Sequence, residues 1–400
     1  MMTFDAKGMI MNGILSIDME SDQLMLRIHD FKIINSDQAI SSQEPILILI
    51  AGDASDRKFF RLLNDPKSLI CMQFPKWEGG YGGDPISWIG MHNALNKMEL
   101  PIPKIVEIDE TNACIWTEDL GDNFLSSALK EEMLDINNPK CAQAIQYYKD
   151  SLSLLLKAQY PIVKIDHPAI QRYFDFEKLY YELNFFVTHF LNGFMQLNIT
   201  EDNDCYSGIF EDMKLLSNRL DNFEKVLCHR DYHVRNIMIK DDKIYWIDFQ
   251  DARMGPHSYD VVSLVRDSYV KITWETRKEL FAYYLAELNK SRKKYNKKII
   301  SESDFNLEIL LMGLQRNIKA IGSFGYLATK KGKSNYLKYV KQTLEILNSE
   351  LAQIHEETNL KMMLPHLFKL IENLYKGEFS EKLDNLIQTQ FTDGNDARKN

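Results

Sequence analysis

Two short segments of the chain concentrate polar residues of types that could do chemistry. In the first, residues 228–239, Asp231 is followed five residues later by Asn236; the second begins at Asp248, twelve residues after Asn236. Both segments are flanked by apolar runs that a β pattern would bury, and buried polar groups are costly unless they are paired or bind a metal. A charged loop held between two apolar strands therefore indicates a functional site.

Phosphoryl transfer accounts for these residue types. It requires an aspartate that orients and deprotonates the attacking hydroxyl, and oxygen ligands that hold Mg²⁺ against a nucleoside triphosphate. The spacing matches HRDxxxxN followed by Asp-Phe on the next strand. Asp231 is then the predicted catalytic base, and Asn236 and Asp248 are the predicted magnesium ligands. His229 is predicted to orient the loop through hydrogen bonds.

Other interpretations of the same segment remain open. One is a polar structural loop. Another is a metallohydrolase, because His229, Asp231 and His233 alternate, but that requires further ligands and the other histidines do not cluster suitably. Arg230 and Arg235 are either solvated or stabilise charge in the transition state.

The surrounding patterns predict a small β-rich lobe followed by a helical region. From residue 45, apolar runs separated by turn residues predict an antiparallel meander, with one helix over Pro85–Met98. After residue 121 the period becomes helical, and Phe174–Phe194 repeats apolar residues at helix spacing. Lys225–Cys228 and Lys243–Ile247 are predicted strands that bracket the polar loop.

Composition excludes several classes of function. The net charge of -9 argues against broad electrostatic binding to nucleic acid. The five cysteines are scattered singly, which is typical of reduced thiols in a cytoplasmic protein. The N-terminus lacks the apolar core of a signal peptide, and apolar runs such as Ile46–Ala51 are far shorter than the ~20 residues that span a bilayer. We therefore expect a cytoplasmic protein without membrane partners, and make no prediction of its oligomeric state.

The polar segments resemble those of the aminoglycoside phosphotransferase/choline kinase-like family. The segment Thr117–Asp122 resembles the hinge between the two lobes in that family. The likeness is closer to bacterial anomeric kinases of N-acetylmuramate and N-acetylglucosamine. Its motifs lie in residues 51–61 (AGDASDRKFFR) and 248–260 (DFQDARMGPHSYD), and in LQRN at 314–317 with Lys319, Gly322 and Phe324.

The resemblance implies an α+β, bilobal, protein-kinase-like fold with a small antiparallel β-rich N-lobe and a larger, mainly helical C-lobe. The predicted divisions are an N-terminal extension of unknown role at 1–44, a nucleotide-binding N-lobe at 45–120, a catalytic and substrate-binding C-lobe at 121–375 and a polar tail at 376–400. The implied reaction is ATP-dependent transfer to the C1 hydroxyl of an amino sugar in cell-wall sugar salvage.

The predicted nucleotide contacts lie in a strand–loop–strand and in the hinge. In the loop, Gly52, Ser55 and Arg57 are candidates, because small residues let backbone N–H groups approach phosphate. A simple hairpin accounts for the loop equally well. In the hinge, Glu118 and Leu120 are candidates near the adenine.

The predicted acceptor contacts are Glu182, Gln250, Asp251 and Arg316. Glu182 is a candidate to hold a sugar hydroxyl, or else a solvated surface glutamate. Arg316 is a candidate partner for a substrate carboxylate, or else forms an intramolecular salt bridge. Charge discriminates among acceptors, because a cationic aminoglycoside or choline favours acidic groups and N-acetylmuramate favours a cation.

One departure from kinases concerns the third strand, which usually carries a phosphate-binding lysine. The corresponding run, Leu69–Phe74, has none. Arg57, Lys58, Arg61 and Lys76 are the predicted replacements. The missing lysine also leaves open an inactive pseudokinase that acts as a binding module.

Overall fold

The computed structural model describes residues 15–18, 25–28, 32–33, 46–50, 57–64, 67–79, 83–129, 133–161, 167–354 and 360–396. The strands are β1 Leu15–Asp18, β2 Met25–Ile28, β3 Lys32–Ile33, β4 Ile46–Ile50, β5 Lys58–Asn64, β6 Lys67–Gln73, β7 Ile105–Asp109, β8 Cys114–Glu118, β9 Met133–Leu134, β10 Lys225–Cys228, β11 Ile237–Lys240, β12 Lys243–Trp246, β13 Arg253–Pro256 and β14 Lys271–Ile272. The α-helices are α1 Pro85–Lys97, α2 Leu125–Ala128, α3 Ala142–Gln159, α4 Phe176–Phe186, α5 Ser207–Asp221, α6 Ser258–Val265, α7 Trp274–Lys294, α8 Glu302–Lys331, α9 Lys338–Ile354, α10 Leu360–Met363, α11 Pro365–Lys376 and α12 Ser380–Asp396. Short 3₁₀-helices cover Pro139–Cys141, Pro168–Gln171 and Ser334–Leu337.

The N-terminal half is built on a sheet in the order β3-β4-β5-β6-β8-β7. All its pairs are antiparallel except β3 with β4. Since successive strand residues face opposite sides, Cys71 packs in a small cluster on one face while Met72 joins the main core on the other. The edge strand β3 comes from the segment predicted as a separate extension.

Helix α1 covers the main-core face of this sheet. Asp84 caps it, accepting a hydrogen bond from the Ser87 backbone N–H at 2.8 Å, and Pro85 occupies its first turn. Trp88 and Met91 are buried. This agrees with the helix predicted over Pro85–Met98, and the antiparallel sheet followed by mostly helical structure confirms the predicted α+β class.

Helix α8 is the 30-residue element against which much of the C-terminal half packs. A Cβ at Gly322 would lie 2.7 Å from the Phe186 Cα, and one at Gly325 would lie 2.8 Å from the His189 carbonyl oxygen. These glycines let the backbones of α4 and α8 approach closely. The approach fixes α8 beside the predicted catalytic loop.

Three regions show detail beyond the sequence expectations. The helix predicted over Phe174–Phe194 begins as α4 and passes into a π-helix at Val187–Phe194. Both predicted strands around the polar loop are present, and β10 pairs with β13 while β12 pairs with β11. The predicted polar tail contains helix α12.

No helix in the described ranges is sufficiently long and apolar to span a bilayer.

Candidate active site

The β11–β12 hairpin brings the two polar segments together. Its register pairs Ile237 with Trp246, so Asn236 stands just before the hairpin and Asp248 just after it. The Ile247 N–H donates to the Asn236 carbonyl at 3.2 Å and extends this pairing toward Asp248. Strands β11 and β12 therefore make the two predicted magnesium ligands neighbours.

Asp260, buried at the start of α6, holds the first turn of the loop. Its carboxylate accepts the His229 N–H at 2.5 Å and the Arg230 N–H at 3.0 Å. Arg230 has a φ of 85°, and such left-handed backbone in a non-glycine residue is strained and requires external support. Burial raises the pKa of Asp260 to about 7, against the two N–H groups that lower it.

His229 ties the loop to the second segment. Its Nε2 lies 2.9 Å from the Ile247 carbonyl oxygen, which can only accept, so Nε2 carries the proton. Its ring packs edge-on to Trp246, with centroids 5.1 Å apart. Burial lowers the pKa of His229, although nearby Asp248 and Asp231 act to raise it. These contacts hold the two segments in fixed register.

Asp231 faces two cations. Its Oδ1 lies 3.1 Å from Lys319 Nζ, and its Oδ2 lies 3.9 Å from Arg230 Nε. Burial alone would raise the pKa of Asp231, but Lys319, Arg230 and more distant Arg316 outweigh burial and hold it well below the usual range. The carboxylate is therefore ionised at neutral pH and can accept a hydrogen bond from a hydroxyl.

Asp248 contacts a residue of the N-terminal sheet region. Arg57 Nη2 and Gln250 Nε2 each donate to its Oδ1 at 2.8 Å. The Asp248 side chain is 39% exposed and its φ is 60°. An exposed carboxylate on strained backbone, bound by a cation that precedes β5, is suited to exchange its partner for a ligand.

The residues present fit a magnesium ion. The Asn236 amide donates through Nδ2 to the Asp231 carbonyl at 2.9 Å, which leaves its oxygen as an acceptor. Within the described ranges, no three or more His, Cys, Asp or Glu side chains are arranged to hold a metal. Two hard oxygen ligands, with phosphate and water completing the shell, are typical of Mg²⁺ and not of an all-protein metal cage.

The four predicted replacements for the missing lysine differ in position. Arg57 contacts the catalytic segments, through its ion pair with Asp248. Arg61 bonds Asp119 and Asp122 in the hinge. Lys58 is exposed, and Lys76 pairs with a neighbouring glutamate.

The predicted nucleotide contacts are only partly visible. Gly52 and Ser55 lie outside the described residues. Glu118 accepts the Lys104 N–H at 3.2 Å, and Leu120 is buried. In the hinge between them, the Asp119 carbonyl accepts from Lys240 at 2.9 Å.

Gln250 and Asp251 lie beside the candidate catalytic groups. Gln250 is buried and bonds Asp248, while Asp251 Oδ2 lies 3.1 Å from Arg230 Nη1. Gln250 therefore contacts the candidate metal ligand directly, and Asp251 is linked to the candidate base through Arg230.

Glu182 and Arg316 belong to a buried network. Glu182 accepts Gln315 Nε2 at 2.9 Å and is 3% exposed, so it is not a solvated surface glutamate. Arg316 donates to Ser263 Oγ at 2.7 Å and to the Tyr259 hydroxyl at 2.9 Å. Its hydrogen bonds go to neutral hydroxyls, whereas the alternative at the sequence level was a salt bridge.

A pocket of about 130 Å³ opens beside Asp231. Its lining is Asp231, His233, Val262, Ser263, Arg266, Asp267, Ser268, Tyr269, Arg316, Asn317, Lys319, Ala320, Ser323 and Phe324. The Asp267 carboxylate accepts backbone N–H groups from Val234 at 3.0 Å and Tyr269 at 2.8 Å. The three cations Arg266, Arg316 and Lys319 outnumber the two carboxylates Asp231 and Asp267, so the lining is on balance cationic.

Sequence reasoning assigned no role to Lys319 and left Arg235 open. Lys319 is three residues after Arg316, and that helical spacing places both on one face of α8. Arg235 stacks on Tyr269 at 3.8 Å and donates to the Tyr339 hydroxyl at 2.7 Å, so it is not solvated. No sequence signal links Arg235 to Tyr339, because the two are 104 residues apart.

Comparisons with known proteins identify a phosphotransferase family and kinases similar to this chain. Residues 196–293 match the model of the phosphotransferase enzyme family. The chain is 28% identical over 326 residues to an N-acetylmuramate/N-acetylglucosamine kinase of Pseudomonas aeruginosa, covering 80% of this chain and 88% of the relative. It is 26% identical over 332 residues to the protein of that name in Neisseria meningitidis, covering 80% and 90%.

Solved structures support the fold. An ethanolamine kinase of Plasmodium vivax aligns with a TM-score of 0.53 at 13% identity, over 76% of this chain and 84% of that one. A choline kinase of Cryptosporidium parvum aligns with a TM-score of 0.52 at 12% identity, over 82% and 93%. Such likeness confirms the predicted kinase-like fold. The chain is therefore a small-molecule kinase, similar over residues 196–293 to the phosphotransferase enzyme family.

Proposed function

We propose that this protein transfers the γ-phosphoryl group of ATP to the anomeric hydroxyl of an amino sugar, N-acetylmuramate or N-acetylglucosamine. One observation carries the proposal: Asp231 lines a pocket with a cationic lining, and its carbonyl accepts a hydrogen bond from Asn236. The named relatives, which this chain matches over 80% of its length, support the same acceptor. The setting would be cytoplasmic salvage of cell-wall sugars.

In this mechanism, Asp231 accepts the hydrogen bond of the acceptor hydroxyl and takes its proton as the phosphoryl group transfers. Asn236 and Asp248 would hold Mg²⁺, which would supply positive charge against the triphosphate. His229 keeps the loop in register through its bond to Ile247. The low pKa of Asp231 suits an orienting base, because the hydroxyl proton leaves late in a loose transition state.

The nucleotide would lie between the hinge and the strand–loop–strand. Glu118 and Leu120 would contact the adenine, and Gly52 and Ser55, which lie outside the described residues, remain the predicted phosphate contacts. Arg57 exchanges its bond to Asp248 for a bond to a phosphate oxygen when MgATP binds. This exchange would supply, at the phosphates, the positive charge that the lysine-free run Leu69–Phe74 does not provide.

The charge of the pocket argues for an uncharged or anionic acceptor. Lys319, Arg316 and Arg266 line it, which disfavours choline or a polycationic aminoglycoside by like-charge repulsion. Gln250 and Asp251 would approach the sugar beside Asp231. Glu182 and Arg316 form hydrogen bonds inside the C-lobe, so they would act by fixing the shape and the charge of the pocket wall.

The test is ADP release from ATP and Mg²⁺ with N-acetylmuramate, N-acetylglucosamine, choline and aminoglycosides in parallel. Acceptor-dependent ADP with an amino sugar, lost in Asp231→Asn, is the expected result. Turnover with choline or an aminoglycoside and none with either sugar would overturn the acceptor assignment.

A second candidate, a non-catalytic nucleotide-binding module, has two observations in its favour: Arg57 occupies Asp248, and the run Leu69–Phe74 carries no lysine. Against it, Asp231, Asn236 and Asp248 are all present. Tight MgATP binding, with no turnover on any acceptor, would favour the module.

A further inference from the structure

We propose that Lys319 is a catalytic residue whose ammonium group contacts the transferred phosphoryl group from the acceptor side. This inference rests on the proposed function. It assigns part of the missing N-lobe charge to a helix of the C-terminal half.

The position of Lys319 is set by backbone packing. Gly322, one turn further along α8, lies against the Phe186 backbone, where a Cβ would be 2.7 Å from its Cα. The Lys319 side chain is 16% exposed and its Nζ lies 3.1 Å from Asp231 Oδ1. A hydroxyl bound to Asp231 would therefore lie within reach of the same ammonium group.

The charged groups around Lys319 act on its pKa in opposite directions, and its ammonium group has donors to spare. Burial lowers the pKa of Lys319 and Arg316 lowers it further, while Asp231 and Glu182 raise it. An ammonium has three donors. One is used by Asp231, so the others are available to oxygens brought by the acceptor and the phosphoryl group.

The neighbouring cations in the described structure are committed elsewhere. Arg230 bonds Asp251 at 3.1 Å and lies 3.9 Å from Asp231, and Arg316 bonds two hydroxyls. His233 lines the pocket, but burial lowers its pKa to about 4 even though Asp231 acts to raise it, so it is neutral at pH 7. Lys319 is therefore the cation best placed to stabilise negative charge that develops on the phosphoryl group beside Asp231.

The step balances without any further reactant. The acceptor oxygen forms a bond to the γ-phosphorus as the bond from that phosphorus to the β–γ bridging oxygen breaks. The electron pair of the broken bond leaves with ADP, and the hydroxyl proton passes to Asp231. Lys319 stays protonated and stabilises the equatorial oxygens, where the charge of a loose transition state is spread.

The test compares Lys319→Met with Lys225→Met in the full chain. Lys225 is a matched control, because it is 17% exposed and pairs with Asp221 at 2.8 Å, on β10 and outside the described site contacts. We expect Lys319→Met to lower kcat by about 100-fold or more, with the KM values for ATP and acceptor changed by less than about threefold. Lys319→Arg should restore part of the loss.

A second readout needs no turnover. Binding of MgADP with aluminium fluoride, which imitates the transferred phosphoryl group, is measured by calorimetry beside MgADP alone. We expect Lys319→Met to weaken the aluminium fluoride complex by about 100-fold and to leave MgADP affinity unchanged. Lys225→Met should change neither.

Three results would overturn the proposal. A raised acceptor KM with unchanged kcat would make Lys319 an acceptor-binding residue. Equal weakening of both nucleotide complexes, together with a lower melting temperature than Lys225→Met, would make it structural. A wild-type protein that binds aluminium fluoride no better than MgADP alone would exclude the contact. Absence of turnover by the wild type with every acceptor would instead count against the proposed function.

Discussion

Replacing Arg57 tests whether the cation that precedes β5 serves the nucleotide. In the described structure its guanidinium donates to Asp248 at 2.8 Å, with side-chain exposures of 10% for Arg57 and 39% for Asp248. If Arg57 moves onto a phosphate, Arg57→Met should weaken MgATP binding. If it only competes with the metal for Asp248, the same change should strengthen binding.

The two effects have different sizes. A hydrogen bond from a charged donor to phosphate contributes about 1.5–3 kcal/mol. The ion pair between Arg57 and Asp248, whose carboxylate is more than a third exposed, contributes about 0.5–1 kcal/mol. The wild type must break this pair when MgATP binds, whereas Arg57→Met has no such pair to break. The difference is about 1–2 kcal/mol, so the Kd for MgATP should rise by about 5- to 30-fold.

The assay is calorimetric titration of the full chain with MgATP. Lys58→Met is the matched control, because Lys58 is the next residue and is exposed to solvent. Its Kd should remain within about twofold of wild type. Arg57→Lys should recover part of the affinity, since it restores charge without the planar fork. Tighter binding by Arg57→Met would refute the exchange and identify Arg57 as a competitor of the metal.

Three further predictions concern the loop, the helix packing and pH. Asp231→Asn should lower kcat by about 10²–10⁴-fold with MgATP affinity nearly unchanged, and loss of folding in that variant would refute the catalytic assignment. Gly322→Ala should lower the free energy of unfolding by about 1–3 kcal/mol in urea titration, because its Cβ meets the Phe186 backbone at 2.7 Å; an unchanged midpoint would contradict this packing argument. Because the pKa of Asp231 is well below its usual range, its ionised form adds stability above the unfolded pKa of about 4, and this is lost as pH falls through the lower folded pKa. Lys319→Met should therefore move the acid limb of kcat/KM to higher pH, whereas an unmoved limb would show that Lys319 does not set that pKa.

Local patterns were sufficient for the elements and for the chemistry of single residues. The apolar runs around 45–120 predicted the strands of the N-terminal sheet within a few residues, since alternation and turn residues are short-range signals. Likewise the pattern from His229 to Asn236, with Asp248 following, indicated phosphoryl transfer from residue types and spacing alone. The family resemblance carried by the same motifs agrees with the later comparisons.

Contacts between distant residues were decided only by the tertiary structure. Burial of Glu182 arises because α4 and α8 meet through glycines, which an amphipathic pattern on one helix cannot reveal. Arg57 and Asp248 are 191 residues apart, and Lys319 and Asp231 are 88 apart, so their pairing depends on how the elements pack. A sequence specifies which side chains can carry charge, whereas the pKa and partner of each depend on the burial and charges that folding places around it.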